Sequence, residues 1–330
     1  MTPAPPAATI RNVPEEQTGG WGPTARYLTY RGLGSALGHL PPPLGRTIAV
    51  GVARTMAWRE TPTRAMGERH LRRVLASECV DGVEPDPRLV RRWCRRGFGS
   101  YARYWFDGAR LPYVDEGGVR ARFSLASGED HLRRAQADGR GIVLALPHIG
   151  SWEWGGAWLA LEGMPMTTVM EKLEPPALFD WFVGQRAQMG LRALALGEGS
   201  TGPLLACLRE GGLVGLVCDR DIVGNGVPVT FFGERTTMPG GAATLALRMG
   251  AALLPVAVYE APGDWHVGVV GAPLDTTRSG SLRADVVRLT QELADCFETL
   301  VRASPEQWHL YQPNWPSDCE VSGDAPSPVP

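Results

Sequence analysis

The stretch GIVLALPHIGSWEWGGAWLALEG, residues 141–163, decides the fold of this chain. It opens with an apolar run of strand length and stops at Pro147. It then continues as an apolar segment of helical length, for which Ser151 is a suitable N-cap. A strand, a short turn and a helix in this order form the unit from which α/β sheets are built. His148 falls in the turn, and Glu153 falls at the start of the helix.

The same alternation continues along the rest of the chain after residue 112. Apolar runs of strand length are separated by helical segments, which predicts an α/β fold with a mixed, mostly parallel central sheet flanked by helices. In such sheets functional residues gather at the carboxyl ends of the strands, where His148 lies. The further strand runs are 165–171, 213–219, 227–233, 253–260 and 265–274, and the further helical segments are 175–190, 201–212 and 240–250.

Residues 24–112 have a different composition, helical and rich in arginine. We expect them to form a helical, membrane-facing region of a single domain, 24–316, whose catalytic core is 113–316. The two ends, 1–23 and 317–330, are rich in Pro, Gly and polar residues, which is typical of disordered tails.

Within this helical region, arginines are interleaved with aromatic residues. This mixture suits a helix that lies on an anionic bilayer surface, and the alternative is a solvated arginine face over an aromatic core contact. In 44–60 the residues Ile48, Val52, Met56 and Trp58 fall near one side of a helix. In 89–112 the mixed residues are Arg91, Arg92, Arg95, Arg96, Arg103 and Arg110 with Trp93, Tyr101, Tyr104, Trp105 and Phe106.

Composition narrows the function classes. The 330 residues are 44% hydrophobic, enough for a sizeable core, and the net charge of −2 argues against nucleic-acid binding. The six cysteines form no CxxC pair, so we expect neither a zinc site nor a disulfide framework, and a reducing cytoplasm is the simpler setting. No signal peptide and no apolar run of ~18–20 residues is apparent. We therefore expect a protein that is soluble or rests on a membrane surface.

His148 and Glu153 are candidates for acid–base chemistry. If His148 lies in the turn and Glu153 in the first helical turn, the carboxylate can hold one imidazole nitrogen and leave the other free to accept a proton. The alternative is a hydrogen-bonded structural histidine. A serine nucleophile at Ser151 is disfavoured because the G-x-S-x-G pattern is missing, and a metal site lacks further ligands nearby.

At these residues the chain resembles a known superfamily. ALPHIGSWE (145–153) is similar to the H-x4-D/E box of the lysophospholipid acyltransferases. The branch that it resembles contains the lipid A late acyltransferases and, more closely, the actinobacterial phosphatidylinositol mannoside acyltransferases. The further matching boxes, in order, are SYARYW (100–105), TTVMEKLEPPALFDWFVGQR (167–186), CDRD (218–221), VPVTFFGERTTMPGGAATLALRMGAALLPV (227–256) and WHLYQPNW (308–315).

The resemblance implies direct transfer of an acyl group from a thioester to a hydroxyl. It implies acyl-CoA as a co-substrate, or acyl carrier protein as in some members, with no other cofactor, no metal and no covalent acyl-enzyme. His148 would act as the general base, and Asp219 would be the acidic residue of the later box. In the mannoside branch we expect glutamate at position 219 and aspartate at position 153, the reverse of the residues in this chain. Each position keeps a carboxylate but changes its length by one methylene. The sequence therefore leaves open which of the two carboxylates contacts His148.

Four charged residues are further candidates for substrate binding. By the resemblance, Glu171 and Arg186 lie near the acceptor site. Glu171 could accept hydrogen bonds from sugar hydroxyls, and Arg186 could contact a phosphate or the Glu171 carboxylate; a surface pair is the alternative. Arg220 and Asp221 follow Asp219 in the CDRD box, where a charged strand end in solvent is the alternative.

A Gly-rich turn at residues 240–241 precedes a helical segment. It could face the donor or a developing oxyanion, because helix N-termini attract anions. It could equally serve tight packing.

Together with the arginine–aromatic helices, the resemblance implies a peripheral enzyme on the cytoplasmic face of the cell membrane. It would transfer a long acyl chain from acyl-CoA to a mannose hydroxyl of a phosphatidylinositol mannoside. The same chemistry on another glycolipid or on a lysophospholipid is the first alternative. A thioesterase and a catalytically silent lipid-binding protein are the others, and the presence of His148, Glu153 and Asp219 argues against the silent protein.

Overall fold

A computed structural model describes residues 32, 41–78 and 84–319 of the chain. Nine strands form a seven-stranded sheet and a separate two-stranded hairpin in this part of the chain. The sheet strands are β1 (Phe123–Ser127), β2 (Ile142–Leu146), β3 (Met166–Met170), β4 (Arg192–Ala195), β5 (Leu213–Val217), β8 (Ala252–Glu260) and β9 (His266–Val270). The hairpin strands are β6 (Val227–Phe231) and β7 (Glu234–Met238).

The sheet has the order β1-β9-β8-β2-β5-β3-β4. The pairs β8–β2, β2–β5, β5–β3, β3–β4 and β1–β9 are parallel, and only β8–β9 is antiparallel. The predicted α/β class with a mixed, mostly parallel sheet is therefore confirmed. In the centre, Leu146 of β2 is aligned with Val217 of β5. The residues that follow these two strands consequently emerge side by side.

Helices cover both faces of the sheet. Before the sheet come α1 (Pro42–Met56), α2 (Pro62–Ala76), α3 (Pro87–Arg110) and α4 (Glu116–Arg122). Between strands come α5 (Glu129–Asp138), α6 (Trp152–Leu161), α7 (Pro176–Gln188), α8 (Thr201–Arg209) and α9 (Gly241–Met249), and α10 (Leu282–Ala303) and the single turn α11 (Pro316–Cys319) follow.

The apolar run of β2 explains why the sheet is covered twice. All five of its residues are buried. Val143 and Ala145 join the core under α8, α9 and α10, whereas Ile142, Leu144 and Leu146 join the core under α5 and α6. A continuous apolar strand with helices on both faces is typical of a parallel sheet.

Two of the N-terminal helices begin after residues whose side chains act as N-caps. Thr61 accepts a hydrogen bond from the Arg64 amide at the start of α2, and Asp86 accepts one from the Arg88 amide at the start of α3. Helix α1 packs on α3, where Arg46 pairs with Asp107. Among the described residues, no helix combines the length and the apolar character needed to cross a membrane.

The C-terminal segment, residues 305–319, crosses back over the sheet edge and is anchored to α2. Asp318 is 1% exposed and accepts hydrogen bonds from the Trp315 amide and from His70 Nε2, 3.1 Å away in each case. Its other carboxylate oxygen lies 2.8 Å from Arg73 Nη1. The expected start of the C-terminal tail at residue 317 is therefore wrong, because this buried carboxylate folds residues 317–319 onto the domain. Residues 1–23 and 320–330 lie outside the described residues.

Replacing Asp318 with asparagine should destabilise the protein by roughly 3 kcal/mol at neutral pH, because it leaves Arg73 and His70 without their buried counter-charge. Burial would raise the pKa of Asp318, but the hydrogen bond and charge of His70 and the neighbouring Arg73 lower it. The stabilisation of the folded protein by ionised Asp318 is therefore fully present above the ordinary carboxyl pKa. It is lost as the pH falls from there toward the lowered pKa of Asp318 in the folded protein.

Urea unfolding of the wild type and Asp318→Asn along an acid series would measure this difference. The exposed pair of Asp138 with Arg140 offers a matched control, Asp138→Asn, which should change stability little. A difference between wild type and Asp318→Asn that stays constant as the pH falls would contradict the account.

Candidate active site

The turn after β2 carries His148 and is held on two sides by backbone hydrogen bonds. On one side, the His309 amide donates to the His148 carbonyl at 2.8 Å, and the Gly150 amide donates to the Gln307 carbonyl at 2.9 Å. On the other side, the Ser151 amide donates to the Val258 carbonyl at 2.9 Å. The turn is therefore fixed between the C-terminal segment and the end of β8.

Gly150 is required at this place for two reasons. Its φ of +57° is a left-handed conformation that favours glycine, and a Cβ there would lie 1.9 Å from the Val258 carbonyl oxygen. No side chain fits without moving β8. The close approach lets the turn pair directly with β8 and fixes the position of His148.

Asp219 is the carboxylate that holds the His148 ring. It follows β5 as His148 follows β2, and its Oδ1 is hydrogen-bonded to His148 Nδ1. Its Oδ2 accepts the backbone N–H of His148 at 2.9 Å and the indole N–H of Trp308 at 2.8 Å. The side chain of Asp219 is fully buried, whereas that of His148 is 34% exposed. Asp219 is therefore the acid that contacts His148.

The electrostatics of this pair fix the role of each imidazole nitrogen. Burial would raise the pKa of Asp219, but the charge of His148 and the hydrogen bonds from His148 and Trp308 lower it below its ordinary value. The anionic carboxylate accepts a hydrogen bond from the N–H of Nδ1. Nε2 is then left as an acceptor, and the partial exposure of the ring allows a substrate to reach it.

Glu153 makes a different contact from the one predicted. It is 6% exposed, and its Oε1 accepts hydrogen bonds from Tyr104 Oη at 3.0 Å and from Arg186 Nη2 at 2.9 Å. Helix α6 begins at Trp152, and its first turn directs Glu153 toward α3 and α7. Of the two acids left open by the sequence, Glu153 is therefore not the one that holds the imidazole, and Arg186 pairs with Glu153 where a pairing with Glu171 was one alternative.

Arg186 forms part of the wall of the site. Its guanidinium lies 5.2 Å from the centre of the Trp152 ring and 5.7 Å from that of Phe182. Glu171 is exposed, just past the carboxyl end of β3. It therefore lies on the same edge of the sheet as His148, and its contact with an acceptor stays a prediction.

The remaining charged candidates follow Asp219 in one loop. The carboxylate of Asp221 accepts the amides of Gly224 at 2.8 Å and Gly226 at 2.7 Å, and the hydroxyl of Thr237 at 2.9 Å. This residue shapes the loop and ties it to β7. Arg220, half-buried, lies directly beside Asp219. Substrate binding by either residue stays a prediction.

In the Gly-rich turn before α9, the first glycine allows neighbouring side chains to pack closely against the backbone. A Cβ on Gly240 would lie 2.8 Å from the Val227 side chain and 3.0 Å from that of Val286. The close approach of the hairpin and α10 therefore explains this residue. A Cβ on Gly241 would meet nothing within 4 Å.

The sequence indicated no role in the site for Trp308, His309 or Tyr104; the last was predicted only as one of the aromatic residues of a membrane-facing helix. Trp308 bonds to Asp219, and Tyr104 bonds to Glu153. The ring of His309 packs 5.5 Å from that of Tyr104. Burial, together with the charge of His148, lowers the pKa of His309 to about 3, so this second histidine is neutral. These residues lie far from His148 in sequence, and only the fold brings them together.

A small apolar cavity of about 30 Å³, partly open to solvent, lies between α6 and the sheet. It starts near the site, because Trp152 lines it while also contacting Arg186. The lining residues are Phe123, Leu125, Leu132, Leu144, Leu146, Trp152, Gly155, Gly156, Trp158, Leu159, Met166, Val256, Val258, Gly268 and Val270.

The chain is similar to proteins named as acyltransferases, which confirms the resemblance drawn from the boxes. Residues 24–317 match the family model described as bacterial lipid A biosynthesis acyltransferase. The phosphatidylinositol mannoside acyltransferase of Mycolicibacterium smegmatis is 40% identical over 253 residues, covering 76% of this chain and 79% of that protein. The protein of the same name from Mycobacterium tuberculosis is 39% identical over 264 residues, covering 78% and 79%.

A more distant relative shares a smaller part of the chain. The lipid A biosynthesis acyltransferase of Haemophilus influenzae is 33% identical over 116 residues, which cover 34% of this chain and 36% of that protein.

The close packing of Gly150 against Val258 can be tested by comparison with a second glycine in the same backbone conformation. Gly163 has a φ of +75°, and a Cβ there would meet nothing within 4 Å. Gly163→Ala should cost about 1 kcal/mol of stability through its backbone alone. Gly150→Ala adds the clash with Val258 and should cost about 2 kcal/mol more. Urea unfolding measures both, and equal losses would contradict the proposed contact.

Proposed function

Since the chain belongs to the bacterial lipid A biosynthesis acyltransferase family and is an acyltransferase, we propose that it transfers a long acyl chain from acyl-CoA to a mannose hydroxyl of a phosphatidylinositol mannoside, with His148 as general base. The relatives that carry that name support the choice of acceptor. The observation that carries the mechanism is the pairing of the buried Asp219 carboxylate with Nδ1 of a partly exposed histidine.

In the proposed reaction, His148 Nε2 takes the proton of the acceptor hydroxyl as its oxygen attacks the thioester carbonyl. The tetrahedral carbon then releases the thiolate of CoA, and the C–S bond breaks as the new ester forms. The imidazolium returns the proton to the leaving thiolate, which regenerates the base. Asp219 stays ionised throughout and stabilises the imidazolium between the two transfers.

The acyl chain is proposed to enter at the apolar cavity under α6, which has to widen to hold a long chain. Its lining is aliphatic and aromatic, and Trp152 connects it to the neighbourhood of His148. Each buried methylene contributes ~0.8 kcal/mol, so the chain can supply much of the donor's affinity. The exposed Glu171, which follows β3 at the same edge of the sheet, is the proposed acceptor of hydrogen bonds from sugar hydroxyls.

We also propose that the protein binds the cytoplasmic face of the membrane as a peripheral protein, and α1 supports this proposal. Its residues Ile48, Val52 and Met56 are 52%, 54% and 58% exposed, and Trp58, just past its end, is 68% exposed. Spacing of four residues places them along one face of the helix. Arg95 lies 4.5 Å over the Trp58 ring, and Arg91, Arg92 and Arg96 are exposed nearby in sequence on α3.

This surface lies one helix away from the site. Helix α1 packs on α3, and α3 contributes Tyr104 to the hydrogen bonds around Glu153. An apolar stripe that enters the headgroup region would therefore bring the site close to lipids that stay in the bilayer.

The proposed activity can be tested with purified protein, labelled palmitoyl-CoA and a panel of mannosylated inositol lipids, other glycolipids and lysophospholipids. We expect transfer to a mannosylated inositol lipid. His148→Ala should lower kcat roughly 10²–10⁴-fold in a protein that is less stable but still folds, because the base is lost while Asp219 Oδ2 keeps the backbone amide of residue 148 and Trp308.

The exposed Glu292 on α10, paired with Arg288, offers a control, and Glu292→Gln should leave kcat unchanged. Transfer only to another acceptor would replace the proposed substrate. Hydrolysis of palmitoyl-CoA that no added lipid changes would indicate a thioesterase. Full activity of His148→Ala would contradict the assignment of the base.

Membrane binding can be tested separately with anionic phospholipid vesicles. Replacing Ile48, Val52 and Trp58 with serine should weaken binding at every salt concentration, because apolar insertion is lost. Replacing Arg91, Arg92, Arg95 and Arg96 with serine should weaken it mainly at low salt. Val287, 42% exposed on α10, supplies a control, Val287→Ser. Unchanged binding of both multiple variants in a sedimentation assay would refute this surface.

A further inference from the structure

A buried carboxyl group that the proposed reaction does not use lies at the same edge of the sheet as His148. Glu260 ends β8, and its side chain is 4% exposed. Its Oε2 lies 3.1 Å from Ser100 Oγ on α3, and its Oε1 lies 3.5 Å from Ser151 Oγ. Ser100 Oγ in turn lies 2.9 Å from Nε2 of His309. The result is a chain of groups from Glu260 through Ser100 to a histidine ring.

This chain is joined to the turn that carries the proposed base. The amide of His309 donates to the His148 carbonyl, and Ser151 belongs to the same turn. The main chain of Glu260 is also fixed there, because Gln307 bonds to its amide at 2.7 Å and to its carbonyl at 2.9 Å. Glu260, His309 and His148 therefore belong to one hydrogen-bonded unit.

Among the described residues, the arginines near Glu260 pair with another carboxylate, that of Asp107. Arg103 Nε is 3.7 Å away, but that N–H donates to Asp107 at 3.1 Å, and the guanidinium's other contacts include the carbonyls of Ala261 and Trp265. Arg46 pairs with Asp107 as well. Burial raises the pKa of Glu260 to about 8, opposed by Arg103 and supported by the negative charge of Asp107. The group is therefore a neutral acid at neutral pH.

A neutral acid and a neutral histidine fix the direction of the chain. The acid O–H on Oε2 donates to Ser100, Ser100 donates to His309 Nε2, and the proton of His309 then resides on Nδ1. Once Glu260 ionises it can only accept. Ser100 must then donate to the carboxylate, and His309 can reach Ser100 only with a proton on Nε2. Loss of one proton to solvent thus reverses every hydrogen bond of the chain.

We propose that Glu260 is a positioning residue that, through Ser100, sets the tautomer of His309 beside the base His148, and that its ionisation switches this tautomer. The consequence for activity rests on the proposed function. The switch itself needs no substrate, so it can be measured whether or not the acceptor has been identified.

Long-range proton–nitrogen NMR of the protein with ¹⁵N-labelled histidine reports the tautomer directly. His309→Asn assigns the signal. In the wild type we expect a bare Nε2 near neutral pH and a protonated Nε2 above about pH 8. Glu260→Gln places an uncharged amide that can donate to Ser100 in place of the acid. It should keep the neutral-pH tautomer at every pH, and Ser100→Ala should remove the transition.

The exposed Glu292 supplies the matched control, since Glu292→Gln should titrate like the wild type. In acyl-transfer assays, Ser100→Ala should lower kcat several-fold without changing KM, because the chain positions the turn and touches neither substrate. A single His309 tautomer across the whole range in the wild type would overturn the proposal, as would a transition retained in Glu260→Gln. A lack of acyl transfer to every lipid would instead count against the proposed function and leave the NMR result standing.

Discussion

The buried carboxylate of Asp219 is the constraint on which the site depends. A charge in the protein interior is stable only when its oxygens are paired. Here the donors come from two separate parts of the chain: the main chain and ring of His148, and the indole of Trp308. Satisfying one carboxylate thus brings together the ends of β2 and β5 and the C-terminal segment. The same pairing leaves the outer imidazole nitrogen of His148 free for chemistry.

The fold uses its outer elements to hold this arrangement. Asp318 attaches the C-terminal segment to α2, which presents Trp308 and His309 to the sheet edge. Helix α3 supplies Tyr104 and Ser100 on the other side. The N-terminal helices are thereby more than a membrane-facing addition, because one of them completes the wall of the site. If their outer stripe binds the membrane as proposed, their inner contacts bring lipid and His148 to neighbouring surfaces.

Much of this fold could be predicted from local pattern. The unbroken apolar run of β2 required helices on both faces, and the strand–turn–helix order placed His148 at a carboxyl end. Strands β1, β4 and β7 escaped prediction because they are short and only partly buried, so their residues show little apolar periodicity. The long helix α10 was missed, although its apolar residues recur at helical spacing and Ser281 caps its first turn. The segment 227–233 was predicted as a strand, but nothing in it indicated a separate hairpin.

The partners of the charged residues could not be derived in the same way. Glu153 is close to His148 in sequence, yet it pairs with Arg186, while Asp219 reaches the ring from 71 residues away. Spacing along one chain says which residues share an element but not which strands are neighbours. The most direct measurement of the central claim is kcat for Asp219→Asn beside an unfolding curve. The account predicts a loss of roughly 10²–10⁴-fold in a protein that still folds. An Asp219→Asn enzyme with wild-type kcat would contradict it.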